Sequence, residues 1–594
     1  MPNQEDALKE DVTQAPHATP ASPNSHDLHA EAPRQKLLTL GLIALIGPAA
    51  ALWVWNSALS FVPVPWPDDS AFYFVAKDLF KWPPQWVMLP QAPFEPTYRI
   101  WNFNTMPLYP IILGLGRFIG IDGSHALKFW PLSFWALSAS FLGVALYKSR
   151  LPALLAALVA LALAMDPELR WGSVLVRPES LIGLAGIVLV TGLSLGWFTK
   201  KDYEHSFWDP VAALLAIGAY AHFNAIHLLW AVLPVLIYRP RRLIDVGLKT
   251  TIYLAPWIFT VVLKPHLFFQ QMTLQWQRLA VGNPWLSSIS SAIRSIYQGL
   301  GAPSDWPILL YATSVAIWTL IFIAAAIFIK AVLSYLVRAY KLRKLPQTAP
   351  GPAEISLVPA AGWVMGTVWL WHNKPEVWFV YYIHLAVWTF AGITLLKLWK
   401  NWSKEDFKNS ARRLYPLGGL TALIAASTTL YISANQTQAE DLGKNPTWNW
   451  NTYNEFVSCI DNTLTQYAAQ KAPRTSSGTS MAAPFKVWAP TFPDVTIELS
   501  RRHPNWDLSR TNDFYERTRL ALQHGIEVDA MVVTETLNWQ ERNIDAPWKE
   551  HPEVHSVWMD WKGYYLNQFM TMPGWKPIRH LCQKGRWQAF IFMR

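Results

Sequence analysis

Apolar stretches of about 18 or more residues recur between residue 37 and residue 433, and a helix of that length spans the hydrocarbon core of a bilayer. Residues 1–36 and 434–594 are polar by comparison. Only 15% of the 594 residues are charged, whereas soluble domains carry about a quarter. The pattern excludes a soluble multidomain protein and predicts a polytopic α-helical membrane protein.

Eleven membrane-spanning helices are predicted, and their orientation follows from the basic residues. Arg34 and Lys36 directly precede the first apolar run, which places the N-terminus in the cytoplasm. The segments then assigned to the cytoplasm hold about twice as many Lys and Arg residues as the outside loops. An odd number of spans places the C-terminal segment outside. The predicted spans are residues 37–61, 127–147, 151–167, 177–198, 208–222, 223–238, 249–264, 307–330, 354–371, 375–396 and 415–433.

Three regions follow from this pattern. Residues 1–36 lack the apolar core of a signal peptide and are predicted to be a disordered cytoplasmic N-terminus. Residues 37–433 form the membrane domain, in which the short apolar stretch at residues 106–121 is predicted to lie in or re-enter the membrane interface. Residues 434–594 are predicted to be a soluble α/β domain outside the cytoplasm, with strands at 495–499 and 528–534 and a helix at 515–523.

Both cysteines, Cys459 and Cys582, lie in this C-terminal segment. Outside the cytoplasm a disulfide between them is plausible, and two separate buried thiols are the alternative.

Two adjacent carboxylates, Asp68 and Asp69, follow the first span by a few residues and therefore lie near the outer membrane surface. Like charges this close raise one pKa, which suits a general base, while the second carboxylate can bind a cation or orient its neighbour. The alternative is that the acids only stabilise the N-terminus of the helix that follows them.

Cationic and polar groups gather at the same predicted membrane face. Arg177 lies in the stretch Arg177-Pro178-Glu179 at the start of the fourth span, and its guanidinium can bind a phosphate. The alternative is an ordinary arginine at the membrane interface. The set suits an anionic lipid headgroup with chemistry performed beside it. Its other members are Tyr73, Arg99, Glu179, His222, Lys264, His266, Lys374 and Tyr382.

The interiors of the spans hold almost no charged residues, and His227 and His384 are the main polar exceptions. Ion-coupled transporters place ionisable groups near the midplane, so the pattern disfavours them. The sequence has no Gly-rich phosphate loop, no Cys/His zinc spacing and no Gly-x-Ser-x-Gly. Nucleotide-driven chemistry and serine hydrolysis are therefore unsupported, and nothing indicates a nucleic-acid partner.

With these features the sequence resembles the GT-C superfamily of integral membrane glycosyltransferases. It is similar to the bacterial members related to protein O-mannosyltransferases, lipid A aminoarabinose transferase and mycobacterial arabinofuranosyltransferases. The resemblance covers most of residues 37–433. It is carried by Asp68-Asp69 after the first span, by Asn104-Thr105-Met106-Pro107-Leu108-Tyr109-Pro110 in the same loop, by Arg177-Pro178-Glu179, and by a C-terminal segment containing Trp488-Ala489-Pro490-Thr491-Phe492-Pro493-Asp494.

The resemblance implies transfer of one sugar, with inversion, from a polyprenyl phosphate to an acceptor outside the cytoplasm of a bacterium, at its inner membrane. Asp68 or Asp69 would be the general base, with a lean to Asp69. Some members use a divalent cation, Mg²⁺ or Mn²⁺, and Asp68 would be its ligand here. The donor phosphate would be neutralised by Arg177, Lys264, Arg99, His222 or Lys374, and Glu179, Tyr73, His266 and Tyr382 are further active-site candidates.

Donor sugar and acceptor are left open by the resemblance. The pair reads Asp-Asp where many mannosyl and aminoarabinosyl transferases have Asp-Glu, which favours arabinofuranose slightly over mannose or a related sugar. The acceptor is an envelope glycan, a lipid or a protein. The alternatives are a glycan polymerase or ligase that uses a lipid-linked oligosaccharide, a transporter of a lipid-linked sugar, and an assembly protein whose C-terminal segment binds a partner.

Overall fold

The computed structural model describes most of the predicted membrane domain and parts of the C-terminal segment. The helix predicted at 515–523 and most of the polar N-terminus lie outside the described residues. The described residues are 33–61, 67–80, 103, 105–198, 206–237, 239–280, 307–342, 356–373, 377–402, 411–443, 450–471, 484–490, 495–511, 529–536, 576–584 and 587–593.

Helices dominate the described part of the chain. Each of the eleven predicted spans contains helical residues, and further short helices connect them. In chain order they are α1 (Pro33–Phe61), α2 (Pro67–Leu79), α3 (Leu108–Phe118), α4 (Phe129–Lys148), α5 (Ala153–Met165), α6 (Pro167–Ser173), α7 (Glu179–Ser194), α8 (Pro210–Ala221), α9 (Leu229–Leu236), α10 (Pro240–Tyr253), α11 (Ala255–Leu263), α12 (Pro265–Ala280), α13 (Pro307–Leu342), α14 (Val358–Asn373), α15 (Val377–Trp402), α16 (Ala411–Gly443) and α17 (Trp450–Lys471). Short 3₁₀ turns at Ala126–Lys128 and Phe223–Leu228 precede α4 and α9.

Five segments of the described chain are long and apolar enough to cross a membrane, which identifies a membrane protein. They are Pro33–Asn56, Ala126–Lys148, Ala316–Val337, Phe379–Trp402 and Leu414–Ser433. The other predicted spans coincide with shorter apolar helices or with a bent pair, so the total of eleven stays a prediction.

The seventh predicted span, residues 249–264, is not one straight helix. Its first residues belong to α10, a polar helix in which Asp245 accepts hydrogen bonds from Arg242 and Lys249, each at 2.9 Å. The chain then bends by 63° into α11, which has 9 residues. At about 1.5 Å per residue, α11 alone covers less than half of the hydrocarbon thickness.

Close packing at glycines holds the helices together. A Cβ atom at Gly47 of α1 would lie 2.0 Å from the carbonyl oxygen of Ala136 in α4, so only glycine permits this approach. Gly183 of α7 packs in the same way against Leu385 and Tyr381 of α15. Helix α15 is almost entirely buried and contacts α5, α6, α7, α14 and α16, which makes it the centre of the bundle.

Helix α3 forms within the stretch predicted to lie at the membrane interface. It buries Tyr109 and Leu113 against α2 and neighbouring helices. Leu115, Phe118 and Ile119 are exposed on its other side. An exposed apolar stripe on so short a helix fits the predicted interfacial position, which stays a prediction.

The C-terminal segment contains a five-stranded sheet in the order β2-β1-β3-β5-β4. Strand β1 pairs in parallel with β2 and β3, and β5 pairs antiparallel with β3 and β4. The strands are β1 (Lys486–Pro490), β2 (Asp507–Thr511), β3 (Ala530–Thr536), β4 (Lys576–Lys584) and β5 (Trp587–Met593). A disulfide between Cys459 of α17 and Cys582 of β4 ties the flanking helix to the sheet.

The predicted strand at 528–534 overlaps β3, but the strand predicted at 495–499 is wrong. Residues Thr496–Arg502 form a helix, α18, between β1 and β2. Parallel neighbours need a crossover connection, and α18 provides it. Apolar and polar side chains alternate from Val495 to Ser500, a pattern typical of a strand with one exposed face. All six residues are buried, however, so the pattern does not reflect such a strand.

Candidate active site

The acid pair lies in the first turn of α2, because the helix begins at Pro67, one residue before Asp68. The Asp69 side chain is 1% exposed, and both of its oxygens accept hydrogen bonds. Oδ2 accepts from Nζ of Lys128 at 2.9 Å, and Oδ1 accepts from the backbone N–H of Val176 at 3.0 Å. Asp69 thereby joins α2 to the start of α4 and to the segment between α6 and α7.

Lys128 is the partner that sequence reasoning missed. It is fully buried, and its ammonium also donates to the carbonyl oxygen of Val174 at 2.8 Å. In the sequence it stands at the edge of an apolar run, where a lysine is usually a boundary anchor. A buried charge requires a partner, but only the folded chain shows which acid provides it.

Arg177 and Glu179 lie beside this ion pair, because Val176 directly precedes Arg177. The Arg177 guanidinium donates to Oε1 of Glu179 from Nη2 at 2.8 Å and from Nε at 3.2 Å. Glu179 is buried and Arg177 is partly exposed. The site therefore presents a guanidinium at the edge of a buried cluster of charges.

Two tyrosines predicted or implied by the motifs face the same charges. Asp69, Glu179 and Arg177 all act electrostatically on the hydroxyl of Tyr109, and Glu179 and Arg177 act on that of Tyr382. Both hydroxyls and Oε2 of Glu179 are buried without a hydrogen-bond partner among the described residues. Buried polar atoms are normally paired, so these three atoms can recognise a polar ligand.

A second buried network lies next to Tyr381 and Tyr382 on α15. Oδ2 of Asp166 is 2.7 Å from Nδ1 of His384 and accepts a hydrogen bond from Trp388 Nε1 at 2.8 Å. Oδ1 of Asp166 accepts the N–H groups of Glu168 and Leu169, which begins α6. The network ties the α5–α6 turn to the central helix.

Glu168 follows this turn and is buried beside Asp166, Arg170 and His384. Burial raises the pKa of Glu168 to about 8. Its carboxyl group therefore holds a proton at neutral pH.

The other predicted site residues are placed as follows. Tyr73 is buried, with the Arg117 guanidinium 5.1 Å from its ring centroid, and burial raises the pKa of its phenol. His222 ends α8, and its Nδ1 accepts the N–H of Asn224 at 3.1 Å. Lys264 and His266 are exposed where α11 meets α12.

Arg99, Lys374 and the side chain of Asp68 lie outside the described residues. The described residues contain no group of three or more His, Cys, Asp or Glu side chains arranged to hold a metal ion. The predicted cation ligand, Asp68, is not among the side chains that the structure describes, so a divalent cation stays a prediction.

No protein-family model and no curated protein matches the chain. Among solved structures, ArnT from Cupriavidus metallidurans bound to undecaprenyl phosphate is similar with a TM-score of 0.49 and 14% identity, over 93% of this chain and 98% of that one. The oligosaccharyltransferase AglB from Archaeoglobus fulgidus, in complex with an inhibitory peptide and a dolichol-phosphate, is similar with a TM-score of 0.44 and 13% identity, over 86% of this chain and 71% of that one. Both belong to the GT-C superfamily that the motifs resemble. Because these scores lie below 0.5, the functional proposal rests on the residues of this chain.

Proposed function

We propose that the chain is a membrane glycosyltransferase that moves one sugar, with inversion, from a polyprenyl-phosphate donor to an acceptor outside the cytoplasm. The observation that carries the proposal is that three segments distant in the sequence meet at Asp69. The acid pair of α2, Lys128 before α4 and the Arg177–Glu179 pair lie together through the contacts of Asp69 with Lys128 and Val176. Acids, cations and unpaired hydroxyls at one point are what group transfer from a sugar phosphate requires.

The two carboxylates, Asp68 and Asp69, are assigned different roles. Asp69 is buried, and both of its oxygens already accept hydrogen bonds, one from Lys128 and one from Val176. A general base needs an oxygen directed at the acceptor hydroxyl. Asp69 therefore anchors the helix, and Asp68 takes the proton from the acceptor as the bond to the sugar carbon forms.

The phosphate leaves with the pair of electrons of the bond that breaks, so a cation beside it lowers the barrier. Arg177 is the described cation best placed for this, because it is partly exposed at the edge of the buried cluster. Its planar fork matches phosphate geometry. The hydroxyls of Tyr109 and Tyr382 and the free oxygen of Glu179 are assigned to the hydroxyls of the transferred sugar.

The disulfide supports placing the C-terminal segment outside the cytoplasm, because such bonds persist in oxidising compartments. The acid pair follows the first span, so the topology predicted from the basic residues puts it on the same side. Donor phosphate and acceptor would then meet at the outer face of the membrane. The bacterial inner membrane is the proposed location.

The test is a transfer assay in nanodiscs with synthetic polyprenyl-phosphate sugars, including arabinofuranosyl and mannosyl donors, on Asp68→Asn, Asp69→Asn and a control. Glu455→Gln is the control, because this acid is exposed in the C-terminal segment and far in sequence from α2. We expect Asp68→Asn to lower the turnover rate by a factor of about 10²–10⁴, the usual contribution of a general base. The variant should still fold.

Full turnover in folded Asp68→Asn would contradict the proposed base. Loss of turnover in Asp69→Asn with unchanged stability would move the base to Asp69. Failure of every monosaccharide donor would refute the proposed reaction and direct the search to lipid-linked oligosaccharides.

A further inference from the structure

The C-terminal helix α18 docks on the segment that supplies Lys128. We propose that Glu498 of α18 is a positioning residue for the transfer reaction, acting through residues 123–128 on the Lys128–Asp69 pair. The inference rests on the proposed function for its kinetic consequence. Its structural part stands on contacts that are independent of the substrate.

Glu498 makes the central contact. Its Oε1 accepts the backbone N–H of Ser124 at 2.8 Å, and the residue is 6% exposed. Arg501, one turn along α18, donates to Oε2 at 3.0 Å. Oε1 thus binds a backbone group of the membrane domain, whereas Oε2 only contacts an arginine whose side chain is 45% exposed, and such an exposed ion pair contributes little.

Gly123 makes this approach possible. Its φ is +102°, a conformation that favours glycine, and a Cβ atom there would lie 3.1 Å from Oε1 of Glu498. A side chain at this position would push against the carboxylate and strain the backbone. The contact therefore depends on both partners.

Two further contacts join the same surfaces. His125 lies between Trp55 of α1 and Trp450 of α17, with ring centroids 4.4 Å and 5.1 Å apart, respectively. On α2, Lys77 donates a hydrogen bond to Ser500 of α18. The C-terminal segment therefore contacts both α2, which carries the acid pair, and the segment that carries its lysine.

The connection from Glu498 to Asp69 is short and stiff. The N–H of Leu127 donates to the carbonyl of Gly123, and that of Lys128 donates to His125, each at 3.1 Å. Lys128 then reaches Asp69 at 2.9 Å. Because a misplacement of about 1 Å can cost about 10²-fold in rate, loosening residue 124 is expected to slow the reaction without removing any group that touches the substrate.

The experiment compares four variants of the full chain in nanodiscs. Glu498→Ala removes the acceptor of the Ser124 N–H, and Glu498→Asp withdraws it by one methylene group. Glu498→Gln keeps an acceptor oxygen and is the rescue variant. Arg501→Ala is the matched control, because it removes the partner on α18 and leaves the bond to Ser124 in place.

Turnover and hydrogen exchange of residues 123–128 and 67–79 are measured together. We expect Glu498→Ala and Glu498→Asp to lower kcat about tenfold or more, with the KM for donor within about twofold, and to speed exchange in both peptides. Glu498→Gln and Arg501→Ala should match the wild type in both measurements.

Equal kcat and equal exchange in Glu498→Asp and Arg501→Ala overturn the proposal, and so does failure of Glu498→Gln to restore the wild-type values. If the wild-type protein turns over no donor, the proposed function fails, but the exchange comparison still decides whether Glu498 orders residues 123–128. If Glu498→Ala does not fold, Glu498→Asp carries the same comparison.

Discussion

The buried pair of Lys128 and Asp69 gives the sharpest stability prediction. Lys128 is 0% exposed and Asp69 1% exposed, so neither charge is compensated by water when its partner is removed. Breaking a buried ion pair from one side costs about 3–5 kcal/mol, whereas replacing both charges by neutral groups of similar volume is often close to neutral. Asp69→Asn and Lys128→Met are near-isosteric neutral substitutions for this test.

We expect each single variant to lose about 3–5 kcal/mol and the double variant to recover most of that loss.

The measurement is equilibrium unfolding in mixed detergent micelles, followed by tryptophan fluorescence. The coupling energy is the loss in the double variant minus the losses in the two single variants. Additive losses would refute the reasoning, because they would mean that the two charges do not stabilise each other in the folded protein.

Three further predictions concern other parts of the fold. Replacing Cys459 and Cys582 by serine should lower the stability of the C-terminal segment by about 2–5 kcal/mol, because their bond spans 123 residues, and dithiothreitol should then have no further effect on its unfolding. Between about pH 4.5 and 8, Glu168 keeps a proton in the folded protein that it releases in the unfolded chain, so the free energy of unfolding should fall as the pH rises. Glu168→Gln should remove this pH dependence from unfolding curves. Gly47→Ala should destabilise the protein by about 1–3 kcal/mol, because its Cβ meets a backbone oxygen, whereas Gly41→Ala in open space should stabilise it by up to about 1 kcal/mol in the same unfolding assay.

Apolar runs predicted the helices well because helix formation in a membrane protein depends on local composition. The bend between α10 and α11 was not predicted. The apolar residues continue across Leu254 without a break, and the polar residues of α10 bind one another on one side of that helix, so the sequence shows no boundary there. In the C-terminal segment, alternation predicted β3, whose partners lie far along the chain. The same rule failed at Thr496–Arg502, where both faces are buried.

Several residues of the candidate site were predicted from the sequence, but the contacts between them were not. Asp69 was selected because it follows the first predicted span, and Arg177 and Glu179 because they begin the fourth. The structure brings the three residues together. His384 was noted as a polar residue inside a span, but its contact with Asp166 joins residues 218 positions apart. Such pairings depend on which helices are neighbours, and hydrophobic periodicity carries no information about that.

The charges of the site lead to a last expectation about the donor phosphate. The charge of Lys128 is balanced by Asp69, and that of Arg177 by Glu179. These four residues therefore have no net positive charge with which to bind an anion. Besides Arg177, the phosphate then needs further cations, and Arg99 and Lys374 of the predicted outer loops are the candidates. Arg99→Gln and Lys374→Gln should each lower kcat/KM for the donor by about tenfold or more, with smaller losses at high salt, whereas Lys584→Gln in the C-terminal segment should not. If neither loop variant alters kcat/KM in the nanodisc assay, Arg177 exchanges Glu179 for the phosphate when the donor binds.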